Sequence, residues 1–299
     1  MRQLLRGIYR SLPLRRQLFD VVRGRLALPR AIYQHLYFEG PFEVAIDEAH
    51  RFQMVGYGNA LENEIYWGGF GGTWEQMSLK VWVRLCTGAD NLIIDVGANT
   101  GIYSLAAAAV APKAKVVAFE PISRIADRLR INAQLNSFDI EIVEKAVSDQ
   151  SGMLSIFDTT DGFNYSASLE QPLANTVSYP VEVTTIDDFV LGAKGRASVQ
   201  AVKIDVETHE PAVVRGMRDV LERKRPAILI EILNERIGAE ISRMISPFGY
   251  RWFHIDEKRG LAETDQLNPI GGRNWNHLLC PPDMFAAAGL EDLLALRNQ

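Results

Sequence analysis

Two patterns of apolar and polar positions alternate along this chain. Short, continuous apolar runs end at an acidic residue, and longer segments repeat apolar positions every three or four residues. The runs at 92–94, 116–119, 201–206 and 226–232 are too continuous for half-exposed strands and suit strands buried on both faces. The segments at 102–110, 122–136, 211–222 and 237–245 carry helical spacing. Further strands are predicted at 140–147, 153–157, 181–183, 250–255 and 275–280, with a short helical turn at 185–190. The last two strands suit an antiparallel hairpin at one edge. The alternation predicts an α/β fold: a mostly parallel sheet with helices on both faces.

The first 80 residues read differently. Residues 1–36 look helical and basic, with eight arginines from Arg2 to Arg30 opposed only by Asp20. Such a face either touches a membrane surface or an anionic glycan carrier, or packs on the core or a second subunit. Strand-like alternation follows at 42–46 and 52–55, then Tyr66 and Trp67 lead into Gly68-Gly69-Phe70-Gly71-Gly72. That cluster suits either a turn closing on a ligand, its aromatics stacking on a sugar ring, or a plain hairpin loop. A helix is predicted at 73–85, capped by Thr73 with Gln76 three residues on. The expected division is an extension at 1–80, serving as acceptor lid, dimer contact or surface contact, and a second domain at 81–299. The tail at 286–296 reads as a short amphipathic helix.

Composition narrows the class. The 299 residues allow one large or two modest domains, and 47% hydrophobic with 23% charged residues is globular. A net charge of -5 argues against a general nucleic-acid binder. Cys86 and Cys280 stand far apart in apolar contexts, which predicts buried reduced thiols. No apolar run approaches the roughly 18 to 20 residues of a spanning helix, and no signal-peptide core is evident. A soluble cytoplasmic protein is expected.

The chemistry concentrates in residues 91–120, NLIIDVGANTGIYSLAAAAVAPKAKVVAFE, which read strand, tight turn, helix, strand. The turn is Asp95-Val96-Gly97-Ala98-Asn99-Thr100-Gly101, and neither GxGxxG nor a P-loop lysine is present. Glu120 ends the next strand, where an acid takes ribose hydroxyls. The set suits a nucleoside without phosphates, with carboxylates for an ammonium and a ribose. S-adenosylmethionine has those groups.

IDVGANTGIYSL, then AFEP, VKIDVETHE with VVRGM, and ILIEI follow in order over residues 91–250. In these motifs the chain resembles the FkbM family of S-adenosylmethionine-dependent methyltransferases. The resemblance implies the class I methyltransferase Rossmann-like fold, a seven-stranded mostly parallel sheet with an antiparallel edge strand. It implies methyl transfer to a hydroxyl of a sugar, glycan or other small molecule. By the family pattern Asp95, Gly97, Asn99 and Gly101, with Thr100 between them, line the cofactor together with Glu120 and Pro121. Ser148 and Asp149 fall where adenine-side contacts are usual, and Asp205 and Glu207 fall beside the sulfonium. The family's D-x-E-G-x-E reads here Asp205-Val206-Glu207-Thr208-His209-Glu210, a Thr-His pair replacing the glycine and its neighbour.

Removing the acceptor proton needs a base within hydrogen-bond reach. The candidates are His209, Asp205, Glu207 and Glu231, histidine being the group that titrates near neutrality. Asp205 with Glu207 also suits a divalent cation, although a metal-free role is preferred. His50, His254 and His277 are read as structural. Two other functions compete with O-methylation: a non-catalytic S-adenosylmethionine-binding scaffold or regulator, and a nucleic-acid methyltransferase. The second lacks the Asn/Asp-Pro-Pro-aromatic strand end of base-amino methylation. A small-molecule or glycan acceptor, and a homodimer, are the partners expected.

Overall fold

A computed structural model describes residues 19, 21–23, 28–72, 74–159, 167–169, 176–193, 198–271 and 274–295. Most of the basic arm, Thr73 and the loop at 161–166 lie outside the described residues. In chain order the elements begin with α1 (Arg30–Tyr33), β1 (Glu39–Ala45), β2 (Arg51–Tyr57), α2 (Ala60–Gly68) and α3 (Gln76–Cys86). Then come β3 (Leu92–Val96), α4 (Ile102–Val110), β4 (Lys115–Phe119), α5 (Ser123–Leu135) and β5 (Ile140–Val143). After them run β6 (Ala146–Val147), β7 (Gly152–Thr159), β8 (Ala167–Ser168) and β9 (Thr176–Thr184). A π-helical turn (Asp188–Ala193) precedes β10 (Val199–Ile204), α6 (Glu210–Arg215), α7 (Arg218–Arg223), β11 (Ala227–Glu231) and α8 (Glu235–Ile245). Last are β12 (Arg251–Asp256), β13 (Gly260–Glu263), β14 (Asn276–Cys280) and α9 (Pro282–Ala287), with a 3-10 turn at Leu290–Leu293.

The main sheet runs β13-β12-β14-β11-β10-β3-β4-β5. The strands from β11 to β5 are parallel neighbours, and β14 runs antiparallel to both β11 and β12. This is the Rossmann-like order that the resemblance implies, with two refinements. The reversed strand β14 is inserted between β11 and β12, and β13 adds an eighth strand at the edge. The strands predicted at 153–157 and 181–183 leave the main sheet. They are parts of β7 and β9 in a separate four-stranded sheet, order β6-β9-β7-β8.

Alternation along the buried strands builds two cores. Leu92, Ile94 and Val96 face the side covered by α6, α7 and α8. Ile93 faces the side where α3, α4 and the β1–β2 hairpin gather. The hairpin shares that core: Phe42, Val44 and Phe52 are buried in one cluster with Leu105 and Leu129. Tyr66 stacks on Phe38 with 3.9 Å between ring centroids, and the Trp67 indole N–H donates to the Leu36 carbonyl at 2.8 Å. Phe70 meets Phe52 edge-on. Tyr66 is core, and Trp67 and Phe70 pack half-buried against it, as the aromatics of a plain loop would.

Two helix expectations change for identifiable reasons. The single helix at 211–222 is broken at Gly216, where a Cβ would stand 2.0 Å from the Ser148 carbonyl oxygen. Close approach of the β6 end requires a glycine there, and the chain bends to meet it. The helix starts at Gln76, with Glu75 as its N-cap. The Glu257 carboxylate, from the β12–β13 turn, accepts the Met77 and Ser78 amides at 2.7 and 3.2 Å. The orphan N–H groups of α3 thus find their partner 180 residues away.

Among the described residues no helix is long and apolar enough to cross a membrane. Cys86 and Cys280 are free and buried. His254 and His277 are buried edge-to-face neighbours, 5.1 Å between centroids, and His50 bonds Asp47.

Candidate active site

The carboxyl ends of β3, β4 and β10 open onto a cleft of about 910 Å³ including its mouth. A parallel sheet places ligands at this end, where strand order reverses across β3. After β3 the chain turns through Gly97 (φ +80°), Asn99 (φ +52°) and Gly101 (φ +100°) into α4. The Gly97 and Ala98 amides donate to the Phe119 carbonyl at 3.0 Å each, tying the turn to the end of β4.

Glu120 is the fixed point of this wall. Its Oε2 accepts the Asn99 amide and its Oε1 the Ile122 amide, both at 3.0 Å. Burial pushes its carboxyl up to about 7, against the pull of those amides. Gly97, Asn99, Glu120, Pro121, Asp205 and Glu207 all line the cleft.

The other residues predicted for the site sit behind it. Asp95 is buried and accepts the Ser104 hydroxyl at 2.6 Å, anchoring the first turn of α4 to β3; burial raises it to about 6. Thr100 is buried, and its carbonyl accepts from the Asn132 amide group at 2.8 Å. Gly101 stands against Leu129, where a Cβ would come within 2.1 Å. Asp149 pairs with Arg215 at 3.1 Å, outside the lining. Lys145, Ala146 and Val147 form that wall instead, one to three residues earlier than Ser148.

His209 is buried at the start of α6, and its Nε2 lies 2.9 Å from the Ser148 hydroxyl. It does not line the cleft. Glu231 also lies outside the lining and is buried; burial, with Asp205 nearby, raises its carboxyl far above the ordinary range. The Thr208 substitution has a clear backbone signature. Glu207 and Thr208 stand at φ +51° and +81°, and Glu210 Oε1 accepts the Val206 and Thr208 amides at 3.2 Å each.

Lys203, Tyr103 and Glu75 stand outside the sequence motifs' candidate residues. Lys203 is 1% exposed within β10, and its Nζ lies 3.2 Å from Asp205 Oδ2. The Tyr103 ring, which lines the cleft, has its centroid 5.0 Å from that Nζ, and the Tyr103 hydroxyl donates to Glu75. A lysine inside the apolar run AVKI was the available signal. Among the described residues no three His, Cys, Asp or Glu side chains group as a metal site requires.

Residues 95–252, more than half of the chain, match the Methyltransferase FkbM domain family. The chain belongs to the FkbM methyltransferase family. Its similarity to 2-O-methyltransferase NoeI of Sinorhizobium fredii is 31% identity over half of this chain and 67% of NoeI. To 31-O-demethyl-FK506 methyltransferase FkbM of Streptomyces tacrolimicus it is 29%, over 43% of this chain and 60% of that protein. The AMB antimetabolite synthetase AmbE of Pseudomonas aeruginosa matches at 28% over 52% of this chain, which spans only 9% of the synthetase. Among solved structures, a methyltransferase FkbM from Methylobacillus flagellatus KT aligns with a TM-score of 0.42 and 14% identity, over 63% of this chain and 43% of that one.

Proposed function

We propose that this FkbM-family chain is an S-adenosylmethionine-dependent O-methyltransferase acting on a hydroxyl of a sugar, glycan or glycosylated metabolite. The observation that carries the reading is the character of the single cleft that Glu120 and Asp205 share. Its charged lining is Glu120, Asp205 and Glu207 against Lys145, and Lys145 pairs with Glu182 at 2.8 Å. Such a lining repels phosphate and suits a cationic ligand rich in hydroxyls. Phe119, Ile122, Val147 and Ile156 give it apolar walls for a base.

These residues fit the cofactor. Glu120, held by two amides, suits the ribose hydroxyls, and Gly97 and Asn99 bring backbone close to the adenosyl group. The cofactor supplies a methyl group that leaves the sulfonium for the acceptor oxygen while the C–S electron pair stays on sulfur. The hydroxyl proton then needs an acceptor, and Asp205 is the carboxylate that lines the cleft at the end of β10. The names of NoeI and the Streptomyces protein, both O-methyltransferases, support a hydroxyl as the target.

Calorimetry with S-adenosylmethionine tests the first half. Glu120→Gln should weaken binding at least about 10-fold, the loss of one charge-assisted hydrogen-bond pair. Unchanged affinity would sink the assignment. Release of S-adenosylhomocysteine in the presence of a panel of methyl glycosides tests the second half. Binding without turnover across the panel would favour the scaffold reading.

A further inference from the structure

The sequence A-V-K-I-D places Lys203 on the same face of β10 as Ala201, toward the core of α3 and α4. A lysine 1% exposed in a central strand is costly unless its charge is matched. Here burial works against the ammonium, but Asp205, Glu75, Glu231 and Asp95 outweigh it and its pKa stands above the ordinary value. The 3.2 Å bond to Asp205 Oδ2 is the direct contact. The Tyr103 ring lies 5.0 Å from the ammonium, and its hydroxyl goes to Glu75. Strand register sets Ile204 beside Ile230, so Asp205 and Glu231 follow at neighbouring strand ends.

A buried ion pair is weak evidence for stability, because a well-packed apolar side chain often replaces it without loss. This pair has a different feature: one partner is sealed in the core and the other lines the cleft. Asp205 stands among acids at the ends of three strands, where close carboxylates cannot all ionise without a compensating cation. Lys203 supplies that charge from below and occupies one carboxylate oxygen.

We propose that Lys203 is a positioning residue for methyl transfer, its ammonium anchoring Oδ2 of Asp205 and leaving Oδ1 to receive the acceptor hydroxyl proton. The assignment rests on the reading of Asp205 as the proton acceptor given above. Lys203 itself does not line the cleft. In the transfer the acceptor O–H bond breaks, its proton goes to Asp205, and it leaves through the open cleft to water.

Carboxyl infrared difference spectroscopy tests this without any acceptor. At pH 7, Lys203→Met should gain one protonated-carboxyl C=O band absent from the wild type. The double variant K203M/D205N should lack that band, and Lys203→Arg should not show it. No new band in K203M, or a band that persists in the double variant, would overturn the proposal. Should K203M fail to fold, Asp205→Asn alone decides. It should remove a carboxylate stretch at pH 7, and removal of a protonated-carboxyl band instead refutes the proposal. With any methyl glycoside that the wild type turns over, K203M should lose about 100-fold in kcat. Its KM for S-adenosylmethionine should stay within about two-fold, and K203R should recover most of the rate. A wild type silent on every glycoside counts against the acceptor assignment, while the infrared arms still decide the role of Lys203.

Discussion

A Cβ on Gly97 would stand 1.9 Å from the carbonyl oxygen of Asp205. The turn after β3 and the end of β10 therefore touch through backbone alone, and both line the same cleft. Gly97 also sits at φ +80°, where a side chain is strained whatever the space. Gly97→Ala should cost about 2–4 kcal/mol of stability. It should also weaken S-adenosylmethionine binding at least about 10-fold, by pushing the Asp205 turn away from Asn99. Thermal unfolding and calorimetry check both; a variant with native affinity would mean that the two turns are not coupled.

Thr208 is the reverse case. A β-branched residue at φ +81° occupies a conformation that glycine adopts freely. Thr208→Gly should stabilise the chain by about 1 kcal/mol, the strain relieved exceeding the added entropy of the unfolded glycine. Urea denaturation measures this. A destabilised variant would show that the Thr208 side chain contributes more than its backbone costs.

Asn132 joins three parts of the molecule from inside α5. Its Oδ1 accepts the Val55 amide at 2.9 Å and its Nδ2 donates to the Thr100 carbonyl at 2.8 Å. It is fully buried. Asn132→Ala would leave an amide and a carbonyl without partners, at about 1–3 kcal/mol each. The expected outcome is a loss of about 2–5 kcal/mol, with faster hydrogen exchange at Val55. Protection at Val55 equal to wild type would show that the hairpin is held without this bond.

Glu62 carries a pH signature. It is 1% exposed in α2, and burial raises its carboxyl from 4.5 to about 7, against the pull of its own backbone amide and Arg128. The native state thus holds this proton more tightly than the unfolded chain. Its contribution falls as pH rises from about 4.5 through about 7, a loss of about 3 kcal/mol. Glu62→Gln removes the slope. The variant should match the wild type near pH 4.5 and melt at a higher temperature at pH 8. Equal melting temperatures at pH 8 would contradict it. Glu120 and Glu210, raised to about 7 in the same sense, remain in both proteins and cancel from the difference.

Much of the parallel-sheet half was legible in the chain. The continuous runs at β3, β4, β10 and β11 are apolar because neighbouring strands and two helical layers leave no face for water, and every residue of β3 and β11 is buried. The Gly97–Asn99 turn and Glu120 were readable because local backbone conformation fixes which residues fit there. α2 was not read as a helix. Its buried Glu62, Asn63 and Glu64 blur the apolar stripe that marks an amphipathic segment.

The sequence by itself determined the alternating α/β class, the turn chemistry at β3 and the family, because these depend on neighbours along the chain. Tertiary structure decided which acids face the cleft. It drew Asp95 under α4, seated His209 on Ser148, and brought Lys203 beneath Asp205. It also capped α3 with Glu257 and broke the α6–α7 segment at Gly216. Most of these turn on a contact between elements separated along the chain, and Lys203 meets Asp205 two residues on along one face of the same strand end. A hydropathy pattern records that a position is buried, and only packing settles what it is buried against.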